Sequence, residues 1–438
     1  MARPDLRAGL RAHLRRLCLR LRGLRPQQLS LENRNILYVT VDTALQGLMM
    51  GGIFAFISVF IVRLGATKLE TSLLTSLPAI VMALASIPSG QVIQRQRDLV
   101  RFTNLVRAFH RGSILLVALL PFFTRRGLVT LIIAIWTVKA ITNALLDSSW
   151  MAVIAEVIPP RRRAEVNGRR WMILSIVTAT ATALFGYMLD RLPFPINYQL
   201  VFVISFIGGT LGMLFWGKLK IPESITVDET PADQRGVVER LTAYWRSLHV
   251  PSFVRYELTA TVFRLGFNLP TALYSIYWIR QLEASDLWVG WQTTTNQLAL
   301  ILGYAVWGKV VSRKGYFRPL LICSIGVGFY PVLTALVTSQ VWLPLISIVQ
   351  GFFITGVNLA LFDTLLAVCP SNRRPSFLAV NTMLVSLAIF LAPLLGSALA
   401  DAASIQAVFY VAGGVHVVAA LLFWIYKVAD VPREMAPS

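Results

Sequence analysis

Cysteine is scarce and scattered in this chain. Cys18, Cys323 and Cys369 are the three present, too far apart for metal-ligand spacing, so neither a disulfide framework nor a metal site is expected. The four histidines form no H-x-x-x-H pair, and no nucleophile–base arrangement stands out, so an enzyme is not expected and no cofactor is implied. No G-x-x-x-x-G-K-[ST] run occurs, which argues against direct ATP drive within this chain. Charge is the largest deficit. Asp, Glu, Lys and Arg make up 14% of the residues, against 56% hydrophobic, and the mean hydropathy is +0.64. A soluble domain has about 25% charged residues. The class that remains is an all-α polytopic membrane protein.

Runs of about 20 apolar residues, enough to cross a bilayer, recur along the chain. They predict twelve transmembrane helices over 36–62, 70–93, 99–123, 128–155, 168–190, 197–217, 255–280, 286–311, 318–338, 341–369, 375–400 and 404–427. Twelve spans place both termini on one side. The net charge of +20 would suit nucleic acid, but its placement argues otherwise. Arg63, Lys68, Arg125, Arg126, Arg191 and Arg280 fall in the loops opposite the termini, and Arg107, Arg111, Lys139 and Arg264 fall inside helices. All the other lysines and arginines lie on the side of the termini. That asymmetry predicts cytoplasmic termini in the inner (plasma) membrane. Residues 3–25 alternate leucine and arginine faces and predict a helix lying on an anionic inner leaflet.

The chain reads as built twice. Residues 1–30 form a basic tail, 31–217 a first six-helix bundle, 218–253 a polar linker with its own amphipathic helix, 254–427 a second bundle and 428–438 a short tail. KAITNALLDSSWMAVIAEVIPPRRRAEVNGRR, from Lys139, carries Lys139, Asn143 and Asp147 at four-residue steps on one helix face, then leaves the apolar medium in a basic loop. The pattern returns with Asn358, Asp363, Arg373, Arg374 and a second Val-Asn at 380–381. LFGYMLD at 184–190 answers LLGSALAD at 394–401. Gly90 and Arg95 after the second span answer Gly308 and Arg313 after the eighth. Repeated six-span halves predict a transporter whose ligand sits between them near mid-membrane.

On these motifs the chain resembles the major facilitator superfamily over residues 31–430. Residues 308–317, GKVVSRKGYF, match that family's cytoplasmic motif at Gly308, Arg313 and Gly315, with Ser312 where Asp is usual. Residues 90–99 keep Gly90 and Arg95, with Gln94 and Arg97 replacing the motif's Asp and second Gly. Lys139 stands where the helix-four motif of proton-coupled members has Arg, and Asn143 where it has Gly. The G-x-x-x-G-P motif of drug–proton antiporters is absent from helix five. The resemblance implies two pseudo-symmetric six-helix bundles around a central cavity lined by helices 1, 4, 7 and 10. Each of these carries an ionisable group: Asp42, Lys139 with Asp147, Arg264, and Asp363.

An intramembrane charge costs roughly 2.5–3.5 kcal/mol on insertion scales, so such groups are paired or functional. Gln46, Asn143, Asn268 and Asn358 join them as candidates for the proton or substrate cavity, and Thr294, Asn296 and Gln297 as candidate substrate contacts. A competing reading makes Arg264 a static clamp on carboxylates between the halves. Tyr274, Tyr277 and Trp278 read as an interfacial belt. Arg95 and Arg313 are expected to hold the cytoplasmic gate against neighbouring helices. The function expected is secondary active transport of a small organic compound by alternating access, as proton-coupled export from a monomer. A uniporter or lipid flippase without proton coupling, or a transporter-like sensor or scaffold, is the alternative.

Overall fold

The computed structural model describes residues 30–124, 126–221, 249–369 and 374–427. The helices expected in the basic tail and the linker, Arg373 and the carboxyl-terminal tail lie outside them. Each apolar run is a helix, because a helix satisfies its own backbone hydrogen bonds where no water can. The first half holds α1 (Leu31–Arg63), α2 (Lys68–Gln94), α3 (Leu99–Phe123), α4 (Leu128–Val157), α5 (Pro160–Arg191) and α6 (Ile196–Trp216). The second holds α7 (Pro251–Asn268, resuming as Thr271–Ile276 and a π turn at Tyr277–Gln281), α8 (Asp286–Lys314), α9 (Phe317–Leu336), α10 (Leu343–Val368), α11 (Arg374–Ala402) and α12 (Ile405–Ile425). The largest departure from expectation is in α5. Pro160 opens that helix at its first turn, so the basic stretch expected as a loop is helical.

Ten of the twelve are long and apolar enough to cross a membrane by length and composition. The exceptions are α7, which carries Arg255, Glu257 and Arg264, and α8, which carries the polar run from Gln292 to Gln297.

The two halves use one set of pairings. In the first, α1 packs on α5 and α6, α2 on α4, and α3 on α4 and α6. In the second, α7 packs on α11 and α12, α8 on α10, and α9 on α10 and α12. Between the halves α5 lies on α8 and α11 on α2. Advancing every helix by six maps this set onto itself, which is pseudo-two-fold symmetry. Small residues permit the closest approaches. A Cβ on Gly47 would lie 2.8 Å from Val177, and one on Gly51 2.7 Å from the Thr178 carbonyl, so the step of small residues in α1 seats α5.

The apolar core shows where the halves meet. On the side away from Leu31 and Ile425, one cluster joins Ile53, Phe60 and Phe202 of the first half to Leu273, Tyr274 and Phe409 of the second. Toward the termini it divides in two. Val39, Val153 and Trp216 cluster in the first half, and Phe253, Phe377 and Phe423 in the second. The halves are thus closed on the far side and part toward the termini. Tyr274 and Tyr277 belong to this closed core rather than to an interfacial belt, Tyr274 stacking on Phe409 at 5.0 Å and Tyr277 meeting it edge-on at 5.3 Å.

Candidate functional site: the path between the halves

The far side is latched by polar contacts as well as by the core. The Arg63 guanidinium of α1 contacts the Asp286 carboxylate of α8 at 3.0 Å and donates to the Ala284 carbonyl at 3.1 Å. The Tyr198 hydroxyl donates to the same carboxylate at 2.5 Å. Arg280 donates to the Ala66 carbonyl, and Ser58 meets Ser275 at 2.7 Å. Asp190, ending α5, accepts the Asp286 amide at 2.9 Å, and Asp401, ending α11, pairs with Lys68 at 2.9 Å. These two aspartates close the repeated LFGYMLD and LLGSALAD stretches, and each reaches the first residue of the helix it faces. The repeat was legible in sequence; its role as a latch was not.

In the first half the structure separates residues that the sequence places on one helix face. Lys139 is 2% exposed. Its ammonium lies 3.8 Å from the Trp136 ring centroid, 4.4 Å from that of Phe54, and 3.4 Å from His110 Nε2. Phe54 is placed by a π turn at Met50–Phe54. Gly52 leaves room there for the Ser205 hydroxyl, which accepts the Ile53 amide at 3.2 Å and satisfies the widened turn. No carboxylate pairs with Lys139 among the described residues, and sharing a helix face with Asp147 brings no ion pair between the two. Asp147 lies two turns nearer the termini and is exposed, while Gln46 and Asn143 are half-buried. Trp136, Phe54 and His110 were missed, because an aromatic cage drawn from three helices has no local motif.

Asp42 is likewise not a cavity group. It is buried against Arg107 of α3, Oδ1 to Nη1 at 2.8 Å, and Arg107 lies 4.0 Å from the centroid of Trp216 on α6. Gly212 makes the space: a Cβ there would sit 2.6 Å from Asp42 Oδ1. Arg107 therefore turns into the bundle rather than reaching for the interface.

In the second half Arg264 clamps neither Asp42 nor Asp363. Its Nη1 contacts Glu257 Oε2, two turns earlier in α7, at 3.2 Å, and its Nη2 donates to Asn381 Oδ1 of α11 at 2.6 Å. Glu257 escaped notice although its spacing from Arg264 places it on the same helix face. Asn381 belongs to the second Val-Asn. The Asn268 amide donates to the Arg264 carbonyl of its own helix at 2.8 Å. Asn358 is exposed and Asp363 half-buried. Asn143 and Asn358 each lie fifteen residues beyond the first residue of α4 and α10, the same position along the two helices.

The polar run of α8 mostly holds helices together. Thr294 donates across the halves to the Ala179 carbonyl of α5 at 2.9 Å, and Asn296 donates to Ser347 and Gln350 of α10. Neither is free to contact a substrate here. Gln297 remains half-buried without a partner among the described residues. Gly90, Gly308 and Gly315 have open space around them. Arg95 and Arg313 are exposed, and neither is hydrogen-bonded or ion-paired among the described residues. With the halves apart on that side, these arginines have nothing across the gap to hold.

Two symmetric helical halves, closed at one end around a polar interior, define a multi-pass transporter. The sequence profile of the Major Facilitator Superfamily matches residues 41–277 and 257–438, and the chain belongs to that family. No curated protein matches it. Solved structures that resemble it include the nucleoside transporter NupG (12% identity, TM-score 0.70, covering 90% of this chain and 99% of that one). A POT family transporter in complex with 5-aminolevulinic acid gives 12% identity and a TM-score of 0.71, covering 91% and 97%. A bacterial homolog of the human lysosomal transporter Spinster, inward-facing and unoccupied, gives 15% and 0.65, covering 93% and 99%. At these identities the likeness is one of fold.

Proposed function

We propose that this protein is a proton-coupled secondary transporter that exports a small organic compound by alternating access, with the termini in the cytoplasm. Lys139 carries the reading. A buried ammonium with no counter-carboxylate costs several kcal/mol, and two aromatic faces return only about 2 kcal/mol or somewhat more. A lysine so placed can exist with or without its proton, as an arginine cannot. His110 is the neighbouring group able to share that proton. Asp147 and Asp363, on equivalent helices and without ion pairs among the described residues, supply the polar walls that the substrate passes. An inward proton gradient then drives the compound outward.

The test is transport in proteoliposomes across a compound library, with and without a pH gradient. Lys139→Gln and Lys139→Arg are both expected to lower pH-driven accumulation at least ~10-fold while leaving substrate–substrate exchange in place, since each variant fixes one charge state. Full pH-driven transport in both variants would remove Lys139 from the mechanism. Retention in Lys139→Arg alone would mean that the site needs only a positive charge.

A further inference from the structure

The basic stretch of α5 is largely consumed by structure. Arg161 and Arg162 reach Glu32 of α1, at 3.6 Å and 2.9 Å. Arg163 donates to the Ile158 carbonyl at 3.0 Å and to that of Ala155, closing the end of α4. Arg169 is exposed. Arg170 differs from all four. Its guanidinium carbon lies 4.0 Å from the Trp150 ring centroid and 5.0 Å from that of Trp171, so its flat surface is taken by indoles. Its Nη2 donates to Asn167 Oδ1 at 3.2 Å, and its Nε is buried with no partner. No carboxylate pairs with it among the described residues, and Asp42 is held by Arg107.

This arginine borders a cavity of about 370 Å³ on the termini side of the first half. The volume falls in the roughly 300–1,000 Å³ range of small-molecule sites. Val39 of α1 and Trp150, Met151 and Ile154 of α4 make its walls apolar, and its polar lining is Asn167, Arg170 and Arg163, the last held by the carbonyls at the end of α4. Trp150 lies eleven residues beyond Lys139, about 16 Å along α4, so this is a separate place from the lysine cage. The second half offers a comparison. Asn167 and Asn381 occupy the Val-Asn repeats of α5 and α11, and each accepts from an arginine. In the second half the arginine comes from another helix, α7, and also meets Glu257. In the first half the arginine and the asparagine share α5, and the arginine has no carboxylate in direct contact among the described residues.

We infer that this cavity binds an amphipathic anion, its acid group on the edge of Arg170 and its apolar tail along Val39, Met151 and Ile154. A guanidinium edge beside a carboxamide suits a carboxylate or phosphate. The apolar walls select a ligand with a hydrocarbon tail over a bare ion. An anion leaving a cell whose interior is electrically negative also moves down the potential. The site deepens the transport reading and rests on it for the ligand's role as cargo.

Dodecyl phosphate binding to the protein in phosphatidylcholine nanodiscs, with empty nanodiscs subtracted, tests this without any gradient. A failure here therefore leaves the Lys139 reading intact, and the converse also holds. Saturable binding is expected, weakened about 10- to 100-fold by Arg170→Gln and less by Arg170→Lys. Ile154→Trp, which fills the apolar end and leaves the charge alone, is expected to weaken it as well. Dodecanol should bind far more weakly, and inorganic phosphate should not compete. Competition by added phosphatidylglycerol would identify the occupant as a bilayer lipid, and its absence a single-chain amphiphile; both support the site. Binding unchanged in a folded Arg170→Gln protein, equal binding of dodecanol, or equal competition by inorganic phosphate would each overturn the proposal.

Discussion

Asp42→Ala is expected to destabilise the first half by about 3–5 kcal/mol, because it strands Arg107 as a buried charge without a partner. The pair is nearly inaccessible, with side-chain exposures of 3% and 7%, so neither water nor lipid headgroups can take the carboxylate's place. Arg111 lies deeper in the same helix and has a buried Nη1 without a hydrogen bond, so removing Asp42 leaves the site with uncompensated positive charge. Denaturant or thermal unfolding in detergent would measure the loss. Removing both charges, as Asp42→Ala with Arg107→Met, should recover most of it, since a buried pair replaced by apolar residues is often close to neutral. A single Asp42→Ala variant as stable as the parent would show that the pair is solvated in the membrane. A stable variant with lost pH dependence would return Asp42 to the transport mechanism.

Gly186→Leu should arrest transport while leaving the fold intact. A Cβ at Gly186 would lie 2.9 Å from the Asp286 carbonyl and 3.2 Å from the Gly290 Cα, so α5 and α8 touch backbone to backbone there. Backbone cannot swing aside as a side chain can, so a leucine must push α8 off α5 and hold the far side open. The latch from Asp190 to the Asp286 amide would break with it, and so would the contact of Arg63 with Asp286. Transport is expected to fall at least ~10-fold, since a carrier held in one state cannot complete alternating access. In a cysteine-free background, a cysteine placed at Ser58 or Ser275 should become more accessible to an impermeant maleimide from the far side. Normal turnover in Gly186→Leu would show that closure at this contact is not part of the cycle.

Hydropathy and charge placement determined the twelve spans and their approximate ends, and short repeated motifs the doubling of the chain and the family resemblance. Those properties are local: a stretch crosses a bilayer by its own length and composition. The same reading recognised that charges inside helices must have a purpose, and it marked Lys139, Asp147 and Asp363 from their positions. Which charges meet was beyond it, because a partner is chosen by which helices adjoin. Arg107 takes Asp42 only because α1 and α3 converge beside Gly212 of α6. Arg264 takes Glu257 and Asn381 because α7 turns that face toward α11. The cage around Lys139 needs a π turn that brings Phe54 from α1, and the closed far side needs two glycine surfaces in register. The residues in each case are legible one at a time. Their chemistry here comes from distances of a few ångströms between segments up to more than a hundred residues apart, which only the packed helices set.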